Sequence, residues 1–194
     1  AMLLNIALIV FGWRRYRDLS EQVAERSLAE EKARHLAETD PLTGCLNRRS
    51  IGPAIDAMVS ECAERGELVA VMMIDLDNFK RLNDSNGHAA GDAVLREASF
   101  RILSQLPKRA QLARLGGDEF ACALPFEPHR AETVAQIAAK LIETVCLPIA
   151  FEGTLLEGIS LSIGLARSDL MPGRADLASE LQHMADIAMY NAKK

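Results

Sequence analysis

Apolar and polar positions along this chain fall into distinct periods, and each change of period marks an element. From about Arg14 to Glu38 there is neither Gly nor Pro, and Ala, Glu, Leu and Arg dominate, which predicts one long helix. Stepping alternately by three and four from Tyr16 meets Leu19, Val23, Arg26, Glu30, Ala33 and Ala37. That seam can pack a partner helix, with Arg26 and Glu30 interrupting it. TDPLTG then breaks the helix at Pro41 and Gly44. Residues 47–65 read as a helix, and LVAVMMIDL at 68–76 as a strand whose unbroken apolar run predicts cover on both faces. Residues 89–106 read as an amphipathic helix, with Ala93, Val94, Leu95, Ala98, Ile102 and Leu103 supplying apolar surface. A hairpin over 111–125 follows, then a helix over 130–146, strands near 147–152 and 155–166, and a last helix over 175–193. This order predicts an α/β (α+β) fold with a mixed central sheet flanked by helices, preceded by a long N-terminal helix.

The first thirteen residues change this picture. AMLLNIALIVFGW is almost wholly apolar, and the basic cluster Arg14, Arg15 and Arg17 follows directly. Thirteen helical residues span only about 20 Å, short of a hydrocarbon core of roughly 30 Å. Residues 1–13 are therefore expected to be the end of a transmembrane segment, with the basic cluster on its cytoplasmic side. A core or dimer-interface helix is the competing reading. Residues 14–38 then form the connecting, coiled-coil-like helix, and residues 39–194 the main domain.

Composition narrows the partners. Of 194 residues, 49% are hydrophobic and 25% charged, which describes a globular chain. A net charge of −5 provides no electrostatic footprint for DNA or RNA. Cys45, Cys62, Cys122 and Cys146 are scattered without a CxxC pair, as small apolar residues in a reducing compartment are.

Two acidic turns carry the candidate chemistry. RLGGDEF, residues 114–120, sets two glycines against Asp118 and Glu119, with apolar chain on both sides. Glycines that tolerate positive φ suit a tight turn between two strands, so the acids sit at the end of a sheet. Solubility and metal binding both account for them there. In MMIDLDNFK, Asp75 leaves an apolar strand into a polar loop, and Asp77, two residues on, projects to the same side of an extended chain. A hard cation such as Mg2+ takes such carboxylates together with substrate phosphates. Downstream, Asn83 and Asp92 can together read a purine edge, although turn formation and capping explain them equally well.

IDLDNFKRLND, GHAAGDAVL and RLGGDEF occur in the order and spacing of the GGDEF-domain diguanylate cyclases, which this chain resembles. TDPLTGCLNRR before them, and SLSIGLA with ADIAMYNAK after them, extend the resemblance from Thr39 to the C-terminus. It implies a cyclase- and polymerase-palm-like sheet, GTP as substrate, and cyclic di-GMP and pyrophosphate as products. It implies that Asp75 and Asp118 bind Mg2+, or Mn2+ as a substitute, with the backbone carbonyl of Leu76. Glu119 would assist the metal or accept the proton of the attacking hydroxyl. Asn83 and Asp92 match the guanine readers; the backbone around Asn78, Phe79 and Lys80 matches the phosphate cradle; Lys80 and Lys193 match charge-neutralising lysines. Asp77 ranks below Asp75 as a ligand. One domain holds one GTP, so the resemblance also implies a homodimer of facing domains. The N-terminal helix would set their separation, on the cytoplasmic side of a bacterial inner membrane.

Two departures matter. The slot of the family's RxxD product-inhibition motif reads Pro107, Lys108, Arg109 and Ala110. The position of the family's phosphate-binding Arg, expected about four residues past Lys193, falls beyond Lys194. The rival reading is a non-catalytic GTP-binding module that regulates an adjoining EAL phosphodiesterase domain.

Overall fold

The apolar strand expected at 68–76 sits where such a run must, at the interior of a sheet with helices on both faces. In the computed structural model, the described residues are 36–171 and 176–193, together with Trp13 and most positions of 15–33. Every described residue from Trp13 to Glu38 is helical (α1), and the membrane-span end expected at 1–13 lies, apart from Trp13, outside the described residues. Among the described residues, no helix is long and apolar enough to cross a membrane. The chain divides into two units, Ala1–Glu38 and Thr39–Lys194. In the first, Tyr16, Leu19 and Val23 expose their apolar side chains, and Arg26 pairs with Glu30 one turn on, at 2.8 Å.

The second unit runs β1 (Leu46–Asn47), α2 (Arg48–Arg65), β2 (Leu68–Asp77), α3 (Phe79–Asn86), α4 (His88–Gln105), β3 (Gln111–Gly116), β4 (Glu119–Phe126), α5 (Ala131–Val145), β5 (Ile149–Phe151), β6 (Thr154–Leu156), β7 (Ser160–Arg167) and α6 (Leu177–Ala192). Five strands form one mixed sheet in the order β1-β3-β4-β2-β7; β5 and β6 form a separate hairpin. Only the β1–β3 pairing is parallel within that sheet.

Alternation along β2 sorts its side chains between two cores. Met72, Ile74 and Leu76 pack with Val94, Ala98 and Ile102 of α4 and with Val134 and Leu141 of α5. Val69, Val71 and Met73 pack with Ile51 and Ile55 of α2 and with Leu181 and Ala185 of α6. By the same alternation Asp75 continues the α2–α6 face to the end of the strand. Full burial pushes the Cys122 thiol up to about 12, so this cysteine behaves as an apolar core residue.

Two elements differ from the sequence expectation. The stretch after Asp77, expected as a polar loop, forms α3, because Phe79 and Leu82 at helical spacing both bury their side chains. The strand expected over 155–166 is two strands, β6 and β7, parted at Gly158, whose φ of +82° lets the chain turn sharply.

Candidate active site

The end of β2 and the β3–β4 turn are fastened together by backbone. Asp75 and Glu119 are direct cross-strand partners, and the Leu76 amide donates to the Asp118 carbonyl at 3.2 Å. Directly opposed residues of an antiparallel pair share a face, so the Asp75 and Glu119 side chains project together. Gly117 and Asp118 form the turn itself, with a register irregularity just before it, between Arg114 and Gly116. Asp75 is buried, at 7% exposure, and Asp118 is half-buried.

These groups act on one another's charge. Burial pushes the Asp118 carboxyl above its ordinary range and the charge of Asp75 adds to this, against a backbone hydrogen bond and the pull of Lys193 and Arg114. Lys193 caps α6 and places its Nζ 2.7 Å from Asp75 Oδ2. Burial disfavours that ammonium, but its hydrogen bond to Asp75 and the charges of Asp75, Asp118 and Asp77 outweigh this and raise its pKa. Two carboxylates and a lysine thus converge at one end of the sheet. Among the described residues no cluster of three or more His, Cys, Asp or Glu side chains forms a metal cage. A cation held here would draw on two carboxylates and leave its other positions to carbonyl, phosphate or water oxygens, the habit of Mg2+.

Asp77 shares the face but not the availability. Its Oδ1 accepts from Ser162 Oγ at 2.8 Å and its Oδ2 from Ser160 Oγ at 2.9 Å, both on β7. Each of its oxygens is therefore already engaged, which separates it from Asp75. Glu119 receives Arg48 Nη2 at 3.3 Å.

A second cluster lies across α3 and α4. Asn78 takes a left-handed conformation, φ 63°, and turns the chain from β2 into α3. Phe79 buries its ring, so only its backbone can meet a ligand, whereas Lys80 is exposed. The Asn83 Oδ1 is buried without a hydrogen-bond partner, an acceptor awaiting a donor. It fits because Gly91 has no side chain: a Cβ there would lie 1.9 Å from that oxygen. Asp92 follows in the first turns of α4, exposed. Sequence reasoning missed Gly91, Arg48, Arg114 and Asp40 as parts of the site. Their signal was present, in GHAAGD, in the Arg of RLGGDEF and in the Asp and first Arg of TDPLTGCLNRR, but only contacts across the fold interpret it.

Comparisons with known proteins agree on one family. The family model for the diguanylate cyclase GGDEF domain matches residues 37–194. Diguanylate cyclase TpbB of Pseudomonas aeruginosa is 40% identical over 160 residues, covering 82% of this chain and 36% of TpbB. Cyclic di-GMP phosphodiesterase PdeR of Escherichia coli is 36% identical over 173 residues, covering 89% of this chain and 25% of PdeR. The chain thus spans about a third or less of these curated relatives. Among solved structures, the coiled coil and GGDEF domain of DgcB from Caulobacter crescentus, in complex with c-di-GMP, superposes with a TM-score of 0.80 at 29% identity, covering 92% of each chain.

Proposed function

Because the chain belongs to the GGDEF diguanylate cyclase family, we propose that it condenses two GTP molecules into cyclic di-GMP, releasing pyrophosphate, at the turn carrying Asp118. The observation that carries this reading is the meeting of Asp75, Asp118 and Lys193, with Lys193 Nζ at 2.7 Å from Asp75 and the Asp118 backbone fastened to the end of β2 by the Leu76 amide at 3.2 Å. That like-charge pair suits a divalent ion. Asp75, Asp118 and the Leu76 carbonyl would hold Mg2+, or Mn2+ in its place, with Glu119 beside them. When bound, the ion supplies Lewis-acid polarisation of the α-phosphate and eases ionisation of the attacking hydroxyl.

The chain's own residues do the positioning. Asn83, whose buried oxygen lacks a donor, and Asp92 read the guanine edge. The amides that follow the left-handed Asn78, at Phe79 and Lys80, stand at the start of α3, where they would donate to phosphate oxygens. Lys80 and Lys193 balance triphosphate charge. The 3′-hydroxyl oxygen of one GTP bonds to the α-phosphorus of the other as the bond to pyrophosphate breaks. The hydroxyl proton passes to Glu119 or to water, and a reciprocal step closes the ring.

One domain holds one GTP, so this chemistry needs two domains face to face. The exposed Tyr16, Leu19 and Val23 of α1 support pairing of two copies through residues 14–38, with residues 39–194 as the catalytic domain. The apolar run at 1–13 and the arginines after it support attachment to the inner membrane of a bacterium, with the domain in the cytoplasm.

Incubation with GTP and Mg2+, with products resolved by chromatography, tests the reading. The wild-type chain is expected to form cyclic di-GMP, and Asp118→Ala to fold but form none. Equal product from Asp118→Ala would overturn it. The 36% identity to PdeR, a phosphodiesterase, favours one second reading, a GTP-binding regulator of an adjoining EAL domain. GTP binding without turnover, together with stimulation of an attached hydrolase, would decide for that alternative.

A further inference from the structure

The turn that bears Asp118 is built from residues with little stiffness of their own. Gly116 and Gly117 hold φ values of +136° and +56°, and glycine crosses that region freely. Something else must hold the Gly117–Asp118 peptide still. Segment 39–48 provides it through two arginines.

The first is Arg114. Its Nε and Nη2 donate to the Gly117 carbonyl at 3.0 and 2.9 Å, and its Nη1 donates to both oxygens of Asp40 at 3.2 Å. A single planar guanidinium thus spans the Asp40 carboxylate and the carbonyl of the peptide that leads into Asp118. Asp40 is fixed in turn. Thr43 donates to its Oδ1 from both backbone and hydroxyl, at 2.9 and 2.8 Å, and the Asp40 amide and carbonyl close the turn to Cys45 and Gly44. The second is Arg48, at the start of α2. Its Nε donates to the Leu115 carbonyl at 2.7 Å while its Nη2 reaches Glu119. Between the two, β1 pairs with β3 at Leu46–Ala113 and Asn47–Arg114. Both hairpin carbonyls that flank Gly116 are therefore gripped by guanidinium groups belonging to, or anchored on, one segment.

The Asp40–Arg114 pair is not an ordinary surface bridge. Its side chains are only 18% and 14% exposed, so solvent screens it weakly, unlike exposed pairs of negligible worth. A pair that merely closed the 40–45 turn would have no need of two further bonds to Gly117. We propose that Asp40 and Arg114 are positioning residues for the reaction: they fix the Gly117–Asp118 peptide and so aim the Asp118 carboxylate at Asp75. This rests on the metal-dependent reading above. Neither residue touches substrate; they act through the turn.

Two conservative variants test this. Arg114→Lys keeps the charge for Asp40 but cannot span it and the Gly117 carbonyl from one plane. Asp40→Asn keeps acceptors for Thr43 but loses the charge. Three quantities are measured on each: melting temperature, Mn2+ affinity by electron paramagnetic resonance, and kcat with KM for GTP. Loss of an outer partner typically weakens metal binding by about tenfold to a hundredfold, and small misplacements of a reacting group lower turnover on a similar scale, up to about a hundredfold. Mn2+ affinity and kcat are expected to fall together, while KM stays near wild type because Asn83 and Asp92 lie on α3 and α4. The double variant is expected to lose no more than the worse single one, since both break one connection. If the variants only melt earlier, and bind Mn2+ and turn over as wild type does when folded, the pair is a turn fastener and the proposal falls. If wild type binds Mn2+ without turnover, the cyclase reading fails, and the Mn2+ affinities of the variants still decide on the positioning role. If wild type binds no Mn2+, both fall.

Discussion

Alanine at Gly164, in the middle of β7, is expected to unseat α6 from the sheet. A Cβ at that position would lie 2.0 Å from the Ala185 carbonyl oxygen, 2.1 Å from the Met189 nitrogen and 2.7 Å from the Met189 Cα. These are backbone atoms of a helix, so no rotamer change removes them. Restoring an ordinary contact of 3.4 Å requires α6 to retreat by roughly 1.4 Å. A radial gap of about 1 Å already forfeits up to half of the dispersion between facing atoms. The face that would lose it carries Ala178, Leu181, Ala185 and Met189, all buried. Overpacked cores lose about 1–3 kcal/mol, and a backbone obstacle places this site near the upper end, at about 3 kcal/mol. For a domain of this size that corresponds to a fall in Tm of roughly 6–12 °C. Gly52→Ala is the matched control, since a Cβ at this α2 position meets nothing within 4 Å. Helix propensity there favours alanine by about 0.5–1 kcal/mol. Urea unfolding followed by circular dichroism reads both variants. Lys193 caps α6, so nucleotide binding by Gly164→Ala is expected to weaken even where the protein is folded. A Gly164→Ala protein within about 0.5 kcal/mol of wild type, the scatter of neutral surface changes, would refute the close-approach reasoning.

Gly91→Ala is expected to leave stability nearly unchanged, because the obstacle is the swinging end of Asn83 and alanine suits a helix. Affinity for a non-hydrolysable GTP analogue should drop by about tenfold or more in calorimetry, the worth of a hydrogen bond to a buried group; unchanged affinity would remove Asn83 as a guanine reader. Burial opposes ionisation of Asp40, but the Thr43 and Arg114 hydrogen bonds win and hold its carboxyl below the ordinary 3.8. A depressed native value stabilises the fold above the unfolded value, and that stability drains as pH falls through the native one. The wild-type advantage over Asp40→Asn in urea midpoint should therefore be full at neutral pH and shrink below pH 3.8; a gap independent of pH would exclude a charge effect. Arg109 is held by Glu67 at 2.7 Å and Glu61 at 3.2 Å, in the slot where the family's inhibitory motif is broken. Turnover of the chain should therefore proceed without tight inhibition by cyclic di-GMP, and inhibition at nanomolar product would contradict this.

The helices were legible because their apolar spacing is a local property. So was β2, since nine consecutive apolar or strand-end residues from Leu68 to Leu76 suit only an interior strand. The short α3 was not, because its N-terminus resembles a turn and two apolar anchors, Phe79 and Leu82, are too few to define a helical period among polar neighbours. Strand β1 was invisible for a similar reason: two residues acquire strand geometry only from their partner, β3.

The candidate site divides along the same line. Motif order alone singled out Asp75, Asp118, Asn83, Asp92 and Lys193, because each stands within a local pattern whose spelling can be read along the chain. Distance along the chain could not say that Lys193 meets Asp75, that two serines of β7 occupy Asp77, or that Asp40 reaches Gly117 through Arg114. Those pairings depend on which strands become neighbours and in what register. A register is chosen by the whole sheet and its two apolar cores at once, so it resides in no single stretch of residues.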